Sequence, residues 1–161
     1  MNRTTAAIAQ VADDFRYRPL GRVIIWPVLA ATAFGASLVP LGVFGDPPNL
    51  AAYAIGLGGI VAATVWHHTH WGAKRMLSAG VPRNAIADAI RHNDTNSGII
   101  AMVGLFFAFT ATSVGDYGGP VARFAFEYTT TAAGSMLGMA VGLAAGCVSG
   151  RRHLNTTNGG T

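Results

Sequence analysis

Charged residues are scarce in this sequence. Asp, Glu, Lys and Arg make up 11% of its 161 residues, whereas hydrophobic residues make up 51%. Soluble domains typically contain about 25% charged residues, so this deficit predicts an integral membrane protein. Lysine occurs once, against ten arginines. A net charge of +4 would suggest nucleic-acid binding in a soluble domain, but the basic residues flank apolar segments, so no nucleic-acid partner is expected.

The sequence has a single cysteine and no recognisable catalytic motif. The one cysteine, Cys147, has no second cysteine to pair with and lies in an apolar segment, which indicates a small packing residue. The sequence contains no glycine-rich phosphate-binding motif, no nucleophile beside a base and no pair of acids within an apolar segment. We therefore expect neither enzymatic activity nor a cofactor. The centres of the apolar segments carry no ionisable residue, which argues against an ion-coupled carrier.

What the sequence does contain is four long apolar segments, at 23–44, 50–66, 97–115 and 129–149. An α-helix rises 1.5 Å per residue, so about 20 residues cross the roughly 30 Å hydrocarbon core of a bilayer. The second segment is at the lower limit of about 17 residues. The predicted fold class is an all-α integral membrane protein with four transmembrane helices.

The basic residues predict the orientation of these helices. Only Arg123 lies in the loops after the first and third segments, beside Asp46, Asp116 and Glu127. By the positive-inside rule, segment 1–22, loop 67–96 and tail 150–161 are expected to be cytoplasmic. An amino-acid composition with many arginines, alanines and glycines suggests a bacterial inner membrane. The acidic pair Asp13 and Asp14 argues against a cleaved signal peptide. The other ten basic residues are Arg3, Arg16, Arg18, Arg22, Lys74, Arg75, Arg83, Arg91, Arg151 and Arg152.

Five glycines recur at every fourth position of the last apolar segment. Residues four apart form a ridge on a helix, and this ridge extends about 24 Å. Helices associate in lipid through close van der Waals contact, which small residues permit. The ridge therefore predicts close helix packing, either on other helices of the same chain or between copies. Its members are Gly134, Gly138, Gly142, Gly146 and Gly150.

Histidines cluster after the second apolar segment. If the helix continues, His67 and His70 share a face, and His92 is a candidate third nitrogen ligand for a soft metal such as copper, near Met76. The alternative is that these histidines simply flank a helix end at the membrane interface. The second interpretation has more support, because no carboxylate or cysteine completes a metal-binding spacing.

The middle loop is predicted to form two short amphipathic helices, interrupted at Gly80-Val81-Pro82. Its basic side chains are expected to contact lipid headgroups or a cytoplasmic partner. A DNA-binding helix-turn-helix is not expected, because so few apolar residues cannot form a two-sided core. The basic residues concerned are Lys74, Arg75, Arg83 and Arg91.

These features favour a protein that works by assembly. The leading hypothesis is a structural subunit of a larger inner-membrane assembly, such as a secretion or conjugation apparatus. One alternative is a homo-oligomeric pore of channel or holin type, lined by Thr110, Thr112 and Ser113. Another is a membrane metal-handling protein that uses the histidines. The expected partners are the lipid bilayer and other membrane subunits or copies of the chain.

Overall fold

The computed structural model describes residues 47–115 and 118–156. These residues form three helices and no strand: α1 (Pro47–Ser78), α2 (Arg83–Gly115) and α3 (Pro120–Thr156). Each helix contains a span that is long and apolar enough to cross a membrane. The prediction of an all-helical fold with apolar helices long enough to span a membrane is confirmed for this part of the chain. The predicted span at 23–44, with segment 1–22 and residues 157–161, lies outside the described residues.

The turn between α1 and α2 is set by glycine and proline. Gly80 has a φ of +74°, a left-handed conformation that glycine adopts without steric cost. The amide of Val81 donates to the carbonyl of Met76 at 3.0 Å, and the amide of Gly80 donates to the carbonyl of Leu77 at 3.1 Å. This hydrogen-bond pattern is a Schellman motif, which satisfies the last carbonyls of a helix. Pro82 then precedes α2, so the interruption predicted at Gly80-Val81-Pro82 is present.

A second glycine and proline pair precedes α3. Gly119 has a φ of +108°, and Pro120, whose fixed φ suits a first helical position, begins the helix. The amide of Arg123 donates to the carbonyl of Gly119 at 3.1 Å. Consequently α3 begins well before the predicted start at 129.

The three helices are longer than a bilayer requires. They contain 32, 33 and 37 residues, or about 48 to 56 Å at 1.5 Å per residue. The prediction of separate short helices in the middle loop is wrong. Residues 67–78 are the end of α1, and residues 83–96 are the start of α2.

A small apolar core explains why these residues continue the long helices. Seven buried residues from all three helices and the turn between α1 and α2 form it, and Leu77, Ala85 and Leu154 pack against it. The apolar residues of the middle loop are too few to form this core by themselves. Helix α3, which continues to Thr156, supplies the remainder. The buried members are Ala73, Met76, Val81, Ile86, Ala89, Ile90 and Cys147.

Helix α3 occupies the centre of the arrangement. It packs extensively along both α1 and α2, whereas α1 and α2 contact each other little. In the most apolar window of each helix, 61% of the residues of α3 are buried, against 28% for α1 and 17% for α2. Two connections that reverse direction make α1 and α3 parallel neighbours, and α2 runs antiparallel to both. Helices α1 and α2 therefore keep most of their apolar surface available to lipid or other proteins.

Candidate helix-packing interface

Three glycines of the predicted ridge meet the backbone of α1. A methyl group added at Gly134, Gly138 or Gly142 would lie less than 3.0 Å from a carbonyl oxygen of α1. The carbonyls belong to Ala54, Gly58 and Ala62, respectively. The backbones of α1 and α3 are thus in direct contact, with no space for a side chain between them.

The contact is reciprocal and regular. A methyl group at Gly58 of α1 would lie 2.6 Å from the carbonyl oxygen of Gly134. Gly134, Gly138 and Gly142 each lie 80 residues after the α1 residue whose carbonyl oxygen they meet, as in Ala54 with Gly134 and Ala62 with Gly142. A constant offset is the register of two parallel helices. The sequence left open whether this ridge packs within the chain or between copies, and the structure places it on α1 of the same chain.

The last two glycines of the ridge face side chains. Gly146 lies against Thr69, whose Cβ would be 2.5 Å from an added methyl group. Gly150 faces both neighbouring helices, with Ile90 Cδ1 at 3.1 Å and Ala73 Cβ at 3.4 Å from the added methyl position. At this end, α3 contacts α1 and α2 through their side chains.

The opposite side of α3 packs against α2 through larger groups. Gly104 of α2 accommodates Leu137, whose side-chain carbons would lie 3.0 Å from an added methyl group. Nearer the carboxyl-terminal end of α3, the thiol of Cys147 donates to the carbonyl of Ile90 of α2 at 3.5 Å. A second buried cluster joins α1 to α3 and consists of Val61, Val65, Met139 and Leu143, with Leu57, Met136 and Ile100 of α2 packed against it.

Hydroxyl groups buried in the bundle are satisfied within their own helices. Thr69 donates to the carbonyl of Val65 at 2.8 Å, and Thr131 donates to that of Glu127 at 2.8 Å. Ser135 likewise donates to the Thr131 carbonyl at 3.0 Å. Such bonds to the preceding turn satisfy the hydroxyl donors of small polar residues inside a bundle.

Two buried polar side chains are less fully satisfied. Asn93 of α2 is completely buried, and neither atom of its amide has a hydrogen-bond partner among the described residues. Glu127 of α3 accepts a hydrogen bond at Oε1 from Nε of Arg123 at 3.0 Å, the pair that the four-residue spacing favours. Its Oε2 is buried without a partner within 47–115 and 118–156.

The basic residues predicted to contact lipid or a partner lie at one end of the bundle, which we call the basic end. It comprises the last turns of α1 and α3 and the first turns of α2, because the chain reverses there. Lys74 lies over the ring of Trp71, with Nζ 4.8 Å from its centroid, and Arg151 pairs with Asp94 of α2 at 2.6 Å. Arg75, Arg83, Arg91 and Arg152 are exposed there.

The structure does not bring His67, His70 and His92 together. No three His, Cys, Asp or Glu side chains in the described ranges form a group that could hold a metal ion. The reason is that α1 and α2 lie on different sides of α3, and His92 is exposed on α2. His67 is exposed too, and its ring packs near those of His68 and Trp71.

His70 instead faces α3. Its Nδ1 hydrogen-bonds with the hydroxyl of Ser149 at 2.5 Å, and its ring centroid lies 5.2 Å from that of His153. Sequence reasoning missed His153 because it was assigned to a polar tail. The available signal was spacing: Gly146, Ser149 and His153 follow one another at three and four residues, as on one face of a continuing helix.

Comparisons with known proteins do not assign the chain to a class. No protein-family model matches it, and neither does any curated protein or solved structure.

Proposed function

We propose that this chain is a structural subunit of a larger assembly in a bacterial inner membrane, such as a secretion or conjugation apparatus. The observation that supports this role is the long apolar face of α2 that remains exposed. It carries Ile99, Met102, Phe106 and Phe109, which are spaced three and four residues apart and so project along one side of the helix. Met102, Phe106 and Phe109 are between 66% and 73% exposed.

The exposed face of α1 is different in character. Ala52, Gly56, Gly59 and Ala63 are all exposed, and a methyl group added at Gly56 or Gly59 would meet no atom within 4 Å. Small residues at a helix surface permit close approach of another helix in lipid. The chain thus offers neighbouring membrane proteins a flat face on α1 and a face of large side chains on α2.

The basic end supports a cytoplasmic orientation for the turn between α1 and α2. Its arginines are mostly exposed, and cytoplasmic surfaces of membrane proteins carry an excess of such residues. In the proposed assembly, Arg75, Arg83 and Arg91 contact anionic headgroups or an acidic cytoplasmic subunit. This orientation places both chain termini in the cytoplasm if the segment at 23–44 also crosses the membrane.

A homo-oligomeric pore has less support. The hydroxyls proposed to line it, on Thr110, Thr112 and Ser113, all donate hydrogen bonds to carbonyls of their own helix at 2.8 to 3.1 Å. Their donor capacity is therefore used within α2. The glycine ridge of α3 is also occupied by α1, so close contact between copies would have to use another face.

The experiment that tests the proposal compares the chain in two settings. Alone, purified in detergent from a foreign host, a structural subunit is expected to scatter light as a monomer of 16.6 kDa after the detergent contribution is subtracted. In membranes of its native host, solubilised gently, it is expected to migrate in a much larger complex. Replacing Met102 and Phe106 of α2 with alanine should reduce that complex, whereas replacing Val141 and Val148, which are exposed on α3, is the matched control for lost apolar surface.

Each outcome decides between the candidate functions. A defined homo-oligomer that makes liposomes leak dye would overturn the subunit proposal in favour of a pore. A monomer in both settings would also overturn it, because a subunit requires partners. Loss of the complex in both pairs of variants would show that α2 is not the specific contact.

A further inference from the structure

Two imidazole rings from different helices meet at the basic end. His70 on α1 and His153 on α3 have ring centroids 5.2 Å apart, with their planes inclined by 48°. Their helices are held in register by the contacts of Gly146 with Thr69 and of Gly150 with Ala73. Both histidines are half-buried, so the pair is positioned by packing yet remains accessible from solution.

One nitrogen of His70 already has an oxygen partner. Its Nδ1 is 2.5 Å from Oγ of Ser149, and its ring is stacked on Trp66 with centroids 5.3 Å apart. Histidines that bind metals commonly donate one ring N–H to an oxygen, which fixes the tautomer and leaves the other nitrogen for the metal. In the tautomer in which Nδ1–H donates to Ser149, the lone pair of His70 that a metal ion needs is on Nε2.

The separation of the two rings suits a shared metal ion. A zinc–nitrogen bond of about 2.0–2.1 Å places each ring centre about 3.2 Å from the metal, so two ligands at a tetrahedral angle have ring centres about 5 Å apart. The observed centroid distance is 5.2 Å. The centroid separation of the pair is thus compatible with two imidazoles that share one ion.

We propose that His70 and His153 bind a divalent transition-metal ion of the zinc and copper type, with Ser149 as a positioning residue for His70. Imidazole is a favoured ligand of both ions. The protein supplies two ligands and water supplies the rest, because the described part of the chain holds no group of three candidate ligands. The bound ion links α1 to α3 at the end where their backbones no longer touch. This inference is independent of the proposed assembly role.

The test uses the full-length chain in detergent, purified through a tag without histidine and stripped with EDTA. Zinc chloride is titrated in and binding is measured by calorimetry, with thermal unfolding followed in parallel. We expect about one equivalent of bound zinc and a zinc-dependent rise in Tm. His70→Ala and His153→Ala should each weaken binding at least tenfold, and Ser149→Ala should weaken it by roughly tenfold, as for other groups that orient a metal ligand.

Matched controls come from the remaining histidines. His68→Ala and His92→Ala remove exposed imidazoles outside the proposed site and should leave zinc affinity unchanged. Equal loss in the His92 variant, or unchanged affinity in the His70 or His153 variant, would overturn the proposal.

A spectroscopic measurement on the unaltered chain tests the site without relying on variants that fail to fold. Copper(II) bound at the site is expected to show coupling to two imidazole nitrogens in its electron paramagnetic resonance spectrum. A spectrum with coupling to one imidazole, or to none, would refute the shared site whatever the variants show.

Discussion

The close contact between α1 and α3 makes Gly138 the most sensitive position in the bundle. A methyl group there would lie 2.7 Å from the Cα and from the carbonyl carbon of Gly58, and closer still to the carbonyl oxygen. All three atoms belong to the backbone, so no side chain can rotate away. Ordinary carbon contacts occur at about 3.5–4.0 Å, so the helices must separate locally by roughly 1 Å.

The cost of Gly138→Ala follows from that separation. A gap of 0.5–1 Å removes about a quarter to a half of the attraction between facing atoms, and overpacked sites typically lose about 1–3 kcal/mol. Alanine in a helix recovers up to about 1 kcal/mol relative to glycine. We expect a net loss of up to about 2 kcal/mol in the free energy of unfolding, and a stability about 1–3 kcal/mol below that of a variant that gains only the helix propensity.

The matched control is Gly56→Ala on the exposed face of the facing helix. An added methyl group at Gly56 meets no atom within 4 Å, so only the gain in helix propensity applies and stability should stay level or rise. Reversible unfolding in mixed micelles with increasing SDS, followed by circular dichroism, measures both variants. If Gly138→Ala is as stable as Gly56→Ala, the backbone contact between α1 and α3 does not exist as described.

Three further predictions concern the basic end. Gly80→Ala should destabilise the chain by about 1–2 kcal/mol in the same SDS titration, because φ is +74° there; no change would contradict the left-handed turn. Arg151→Ala should cost less than about 1 kcal/mol, since its pair with Asp94 is half-exposed; a larger loss would indicate a buried role. Cys147 is fully buried, so maleimide labelling should require unfolding and follow the SDS transition; rapid labelling of the folded chain would contradict its packing against Ile90.

Composition and hydropathy were sufficient to predict the class of fold. Few charges and long apolar segments predicted helices that could span a membrane, and α1, α2 and α3 are long and apolar enough to do so. The turn at Gly80 was also predictable, because glycine and proline restrict the backbone locally and their effect does not depend on distant residues. The spacing of the glycine ridge likewise indicated a closely packed helix face.

Contacts between residues far apart in sequence determined the packing partner of the glycine ridge and the length of the helices. The glycine ridge packs on α1 of the same chain because the carbonyls of Ala54, Gly58 and Ala62 recur at the same four-residue spacing as the glycines. The ends of α1 and α2 stayed helical because Leu154 and Cys147 of α3 complete their apolar core. A periodic pattern in one segment shows which face is small or apolar but not which other segment covers it.

The histidines show most clearly the difference between what local sequence predicts and what only the folded chain shows. Sequence spacing put His67 and His70 on one face only if the helix continued past the predicted span, and it could not show that His70 turns toward Ser149 and His153, 79 residues or more away. Local propensity and hydropathy therefore determined the helices and their suitability for a membrane. Only the tertiary packing determined which side chains meet, because the backbone contacts of Gly134, Gly138 and Gly142 with α1 fix the parallel register of α1 and α3.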